Sequence, residues 1–216
     1  MTFLDNWDKI YIDQLPYLYM RGGKIMNNKL DTRDRFVKTA SKLFENKGYH
    51  ATGLNEILKE SGAPKGSLYY YFPNGKEELA LEAVKLSSEN IQTDIKKALA
   101  QISDPVEAIE VHIEKIAEFI TKEEKMQDIS ISLLALETYL SSELLRKACE
   151  TAFVSFENIF AEKLVQGGFE DNKAHELSIV IQSMIEGAIT ISLTEKSGTT
   201  LLAVAKQISI LLKANL

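Results

Sequence analysis

The stretch from Thr52 to Leu79 constrains the fold of this chain more than any other. Two short helix-forming runs flank a turn at Gly62, and Pro73–Asn74–Gly75 closes the unit. In the first run Leu54, Ile57 and Leu58 share one face. In the second, Leu68 and Phe72 lie four apart and meet on one side of a helix. Thr52 is the expected N-cap of the first run. Pro64 suits the first position of the second, where its missing N–H costs nothing. Asn74–Gly75 often marks a hairpin, but helical patterns on both sides argue against that. Two helices around a glycine turn, the second short and rich in donors, read as a helix-turn-helix.

In such a unit the second helix enters the DNA major groove by its N-terminal end. The residue types there fit that task. Lys65 reaches a guanine edge or a phosphate, and Ser67 offers a short hydroxyl. Gly66 lets the backbone approach closely. Tyr69, Tyr70 and Tyr71 cover too wide an arc of helix to be buried together, so exposed hydroxyls among them can donate to phosphates. Lys76 opens the next helix, where its charge adds to the positive terminus. Core packing is the alternative for the tyrosines, most of all for Tyr71.

Helical patterns continue on both sides. Asp31 or Thr32 caps a helix running to about Lys47, with Phe36, Ala40, Leu43 and Phe44 on one stripe and Gly48 as its stop. Beyond Gly75 the spacing predicts helices over 76–102, 104–121, 127–140, 142–166, 171–195 and 199–214. No strand-like alternation of useful length and no repeat intervenes. The chain reads as all-α with about nine helices: a three-helix head over 27–75 and a larger bundle over 76–216.

Charge follows this division. The chain is -6 overall, yet residues 27–76 hold nine Lys and Arg against five Asp and Glu, a net +4. A basic module on an acidic body suits a head that touches DNA and a body that does not. Residues 1–26 fit neither part and show no periodicity. Arg21–Met26 can be encoded by a purine-rich stretch resembling a ribosome-binding site before a start codon. Residues 1–25 are therefore either a translated leader ahead of Met26 or an N-terminal arm. No unbroken apolar run of about 18 residues and no secretory start are present, and the one cysteine, Cys149, reads as a structural thiol. A cytoplasmic protein is expected.

Gly48, Tyr49, Thr52, Ile57, Gly62, Lys65, Gly66, Ser67, Leu68, Tyr69, Phe72, Lys76, Glu77, Glu78 and Leu79 together resemble the N-terminal domain of the TetR/AcrR family of bacterial repressors. The likeness covers about 50 residues closely. One extra residue between Phe72 and Lys76 resembles the LmrA/YxaF-like branch. The resemblance implies DNA contacts from Lys65, Gly66, Ser67, Tyr69, Tyr70 and Tyr71. It adds Asn55 from the preceding helix, Thr52 and Lys76 on phosphates, and Arg33 as a further cation. Many relatives place His where Tyr71 stands, so that contact departs from the pattern.

The last two helices carry apolar stripes. Leu177, Ile181 and Ile185 line one; Leu201, Ala205, Ile208 and Leu212 line the other. These are either the core of one chain or, as the resemblance implies, a homodimer interface that sets two heads on a palindromic double-stranded operator. Phe119, Met126, Leu133, Leu136, Tyr139, Phe153, Phe156 and Met184 suit a pocket for a small hydrophobic effector. By resemblance the effector releases the operator, and the branch points to a planar aromatic or drug-like molecule. An enzyme is disfavoured: His50, His112 and His175 lie far apart, and there is no metal-ligand spacing, phosphate-binding loop or nucleophile motif. No cofactor is expected. A helical protein-interaction module is the remaining alternative.

Overall fold

The computed structural model describes residues 32–122 and 131–216. The N-terminal extension, Asp31 and Met126 lie outside the described residues. Nine helices are described: α1 (Thr32–Lys47), α2 (Leu54–Ser61), α3 (Lys65–Tyr71), α4 (Lys76–Ala100), α5 (Pro105–Thr121), α6 (Ile131–Thr138), α7 (Glu143–Gln166), α8 (Asp171–Glu195) and α9 (Thr199–Lys213). No strand occurs among the described residues.

Local chemistry sets most of the boundaries. Gly62 ends α2 in the left-handed region, at φ 60°, which a glycine adopts without a Cβ penalty. Asp104 caps α5, its carboxylate accepting from the Glu107 amide at 2.8 Å, with Pro105 in the first helical position. Ser142 and Glu170 cap α7 and α8 in the same way. Two boundaries differ from the sequence expectation. Pro64 is the N-cap residue of α3 and not its first helical residue. Gly53, not Thr52, precedes α2, with no side-chain cap. Thr52 is instead 1% exposed, and its hydroxyl donates backwards to Gly48 O at 2.8 Å and Leu43 O at 3.2 Å.

α1, α2, α3 and the start of α4 enclose one core of Phe36, Phe44, Ile57, Leu68, Phe72 and Leu79, all buried. α4 then runs on for 25 residues, about 37 Å at 1.5 Å per residue, and packs along α7. In the bundle α8 packs between α7 and α9, and α9 lies along α5. At the start of α9 the chain touches α5 closely: a Cβ on Gly198 would sit 2.5 Å from the Ala117 carbonyl oxygen. The Gly198 amide donates to Thr121 Oγ1 at 3.1 Å.

This packing corrects the reading of the two apolar stripes. Leu177, Ile181, Ile185, Leu201, Ala205, Ile208 and Leu212 are all buried within one chain. α7 and α9 cover the first stripe and α5 and α8 the second, so these residues form core and not a dimer face. Cys149 is also buried, which pushes its thiol up to about 11 and leaves it unreactive.

His112 on α5 is largely enclosed, its ring 6.0 Å from that of Phe160. Burial first, and Lys115 second, pull its pKa down to about 4. The unfolded chain takes up this proton near the ordinary value of 6.5, while the folded chain resists until about 4. The stability this gives is complete above 6.5 and is lost as pH falls towards 4. We expect a decrease of about 3 kcal/mol across that window. Denaturant titrations at stepped pH should show it, with a flatter slope for His112→Gln.

Candidate nucleic-acid interface

α3 presents two different sides. Leu68 and Phe72 are fully buried and fix the helix to the head. The Phe72 ring meets Phe36 edge-on at 6.2 Å between centroids. The opposite side is open: Lys65 and Gly66 are exposed, Tyr69 is 48% exposed and Tyr70 79%. Ser67 is half-buried. Tyr71 turns partly inward, 5.0 Å from the Tyr70 ring and 6.5 Å from Phe72. Of the three tyrosines it is the one that helps the core, and its partners leave Tyr70 projecting furthest.

The helices behind α3 are tied to each other by polar contacts. Arg35 donates to the Ser61 carbonyl at 2.5 Å, clasping α1 to the end of α2 just before the Gly62 turn. Lys47 pairs with Glu56, joining the end of α1 to the start of α2. Asn55 is exposed on α2. The inward turn of Thr52 leaves the first amides of α2 without a side-chain cap at the surface, the kind of terminus that accepts an anion. A buried Thr52 side chain cannot itself touch a phosphate in this conformation, which corrects that expectation.

Two expected cations are occupied within the fold. Arg33 pairs with Glu82 at 2.8 Å and lies over the Phe72 ring at 5.4 Å, bracing α1 against α4. Lys76 Nζ sits 4.2 Å from the centre of the Tyr49 ring. Its burial lowers its pKa, with Glu137 acting in the opposite sense. Sequence reading missed Arg35 and Tyr49 as organisers, because each acts through a residue distant in sequence.

The expected effector residues separate. Phe156 is buried, with the Phe153 ring 6.4 Å away, and Phe119, Phe153 and Met184 are half-buried. Leu133, Leu136 and Tyr139 are exposed, Leu136 to 72%. α6 buries its other side through Ile131, Leu134 and Thr138, so these three do not line an interior pocket. A cavity of about 280 Å³ lies instead between α1 and α4, beside Arg33, Val37, Lys38, Glu82, Lys85 and Leu86. A second, of about 140 Å³, lies between α4 and α7 near Lys96 and Ile159.

Residues 36–83 match the model of the tetR family of bacterial regulatory proteins, and residues 105–207 match the C-terminal domain of LmrA/YxaF-like transcriptional regulators. The HTH-type transcriptional regulator YxaF of Bacillus subtilis is 50% identical over 188 residues, covering 87% of this chain and 98% of that protein. The chain belongs to the TetR family. LmrA of the same organism, also an HTH-type transcriptional regulator, is 44% identical over 85% of this chain and 97% of its own length. Among solved structures, the reduced form of Escherichia coli NemR superposes with a TM-score of 0.74 at 19% identity, over 82% of this chain and 95% of that one. As a TetR family member the chain is a DNA-binding regulator of transcription, and α2 and α3 lie wholly within the tetR-family match at 36–83.

Proposed function

We propose that the chain acts in the cytoplasm as a homodimeric repressor that leaves a palindromic operator when a small hydrophobic or aromatic effector binds its bundle. The observation that carries this reading is the two-sided α3: a buried Leu68 and Phe72 behind an open face of Lys65, Gly66, Tyr69 and Tyr70. In this reading the head ends near Gly75, and α4 onwards forms the effector-binding and dimerising body. Lys65, Tyr69 and Tyr70 meet bases and phosphates from α3, while Asn55 and the uncapped start of α2 meet the backbone. Lys76 reaches a phosphate only by leaving the Tyr49 ring.

The dimer face is the outer side of α8. Ile179, Val180, Ser183, Gly187, Thr190 and Ile191 are exposed there, and none carries charge. α8 is long and apolar enough to cross a membrane by length and composition alone. Apolar residues exposed on a long, largely apolar helix favour a second covering surface. Its own chain covers one side, and a second copy covers the other, joined by Leu202 and Ile210, which are exposed on α9. Two heads on one duplex supply the specificity that one short helix lacks. We place the effector site in the region of half-buried Phe119, Phe153 and Met184, beside buried Phe156.

The test is selection of duplexes from a random pool by the purified chain. Recovery of an inverted repeat is the expected result, and no enrichment would overturn the reading. On the selected duplex, Lys65→Ala should cost about 1–3 kcal/mol and relax preference at the contacted base pair. Tyr70→Phe should weaken all sequences about equally, since it removes a phosphate donor. Gel-shift affinities across single-base variants separate the two.

A further inference from the structure

Besides the packing of α1 on α4, the end of α6 meets the α1–α2 turn of the head at a corner rich in polar contacts. Glu137, at the end of α6, receives the Tyr49 amide on its carboxylate. Its backbone carbonyl receives His50 Nε2–H at 2.8 Å. The turn fits so closely that a Cβ on Gly48 would lie 2.5 Å from Glu137 Oε1. Five residues after Glu137, the α7 cap Ser142 donates to Glu77 in the first turn of α4 at 2.5 Å. The α1–α2 turn held in this way also carries the Tyr49 ring beneath Lys76.

The other end of α6 is fastened into the bundle. Ser132 Oγ donates to Glu186 Oε2 at 2.5 Å, and Gln182 Nε2 donates to Glu186 Oε1 at 2.8 Å. Gln182 is buried, and burial raises the pKa of Glu186. α6 is eight residues long, about 12 Å, and it is hooked to α8 at its first turn and to the head at its last.

We infer that Glu137 is a positioning residue: α6 is a strut running from the Ser132–Glu186 contact in the bundle to the α1–α2 turn, and the Glu137 carboxylate sets the pose of the DNA-binding head directly, without passing through the connector α4. The strut rests on the regulator reading for its purpose, though not for its existence. Without the carboxylate, the turn loses the acceptor for the Tyr49 amide. The head then samples more orientations, and ordering it becomes part of the cost of binding DNA.

The full chain carrying Glu137→Ala, Glu137→Gln, Ser132→Ala or Ser132→Ala with Glu137→Ala tests this by two readouts. One is amide hydrogen exchange over residues 48–52; the other is affinity for the duplex selected by the parent chain. Glu137→Ala should speed exchange at Tyr49 about tenfold and weaken binding about tenfold, at an unchanged salt slope because no phosphate contact is lost. Glu137→Gln keeps an acceptor oxygen and should restore most of both. Ser132→Ala should weaken binding in the parent chain and have no added effect beside Glu137→Ala. Unchanged exchange in Glu137→Ala overturns the strut, as does binding that is indifferent to residue 137, or strictly additive effects of the two sites. If the parent chain selects no duplex, the regulator reading fails, and the exchange measurement still decides whether Glu137 holds the turn.

Discussion

The chain carrying both Ile179→Asp and Ile191→Asp is expected to sediment as a folded monomer and to lose at least about a hundredfold in affinity for its inverted-repeat duplex. Both residues are exposed on the outer side of α8, 52% and 47% respectively. Neither substitution therefore opens a hole in the chain's own core. In a dimer each would bury a carboxylate in a largely apolar interface, at a cost in desolvation. A monomer offers one head, and the gain from binding two half-sites at once disappears. Ile181→Asp is the contrasting variant. Ile181 is on the same helix but fully buried, and its substitution should unfold the bundle. Sedimentation velocity with circular dichroism separates the two cases. A dimer that survives both exposed substitutions would place the interface elsewhere.

Phe72→Ala should destabilise the head by about 3–5 kcal/mol, as large-to-small changes at enclosed aromatic positions do. Phe72 is fully buried. Its ring meets Phe36 edge-on and lies beneath the Arg33 guanidinium. Removing it therefore cancels an aromatic pair and a cation–π contact in addition to leaving a cavity. Seven-residue α3 then keeps one fully buried side chain, Leu68, with half-buried Tyr71 beside it. The bundle has many buried residues beyond the head, from Ile109 and Ile113 to Leu212, so unfolding should split into two steps. Exchange in residues 36–72 should lose protection first, and duplex binding should vanish with it. A single cooperative transition with full binding would show that Phe72 is dispensable.

The helices and the role of α3 were legible in the sequence because both depend on near neighbours. Leu68 and Phe72 meet four apart, Gly62 breaks the helix where it stands, and Asp104–Pro105 carries its own cap. α8 was bounded correctly for the same reason. Periodicity also found the apolar stripe of Leu177, Ile181 and Ile185, but it cannot say whose surface covers a stripe. The structure puts α7 and α9 there and leaves Ile179 and Ile191 outside. α6 misled for a related reason. Its apolar residues lie all round, so spacing does not reveal that Leu134 faces in and Leu136 out. Thr52 stands next to a helix start, as a cap does, yet its hydroxyl serves Gly48 and Leu43 behind it. Glu137 meets Tyr49 from 88 positions away, a distance at which no local pattern exists.

The close seat of Gly198 divides the body into fixed and movable parts. With a backbone carbonyl so near and the Thr121 hydroxyl bound to its amide, α5 and α9 have no slack to slide past one another. Any side chain at 198 would have to wedge them apart. They form a chassis to which the end of α7 is also fitted, since a Cβ on Gly167 would run into Pro105 Cγ; in the regulator reading, rearrangement on effector binding falls to α4 and α6.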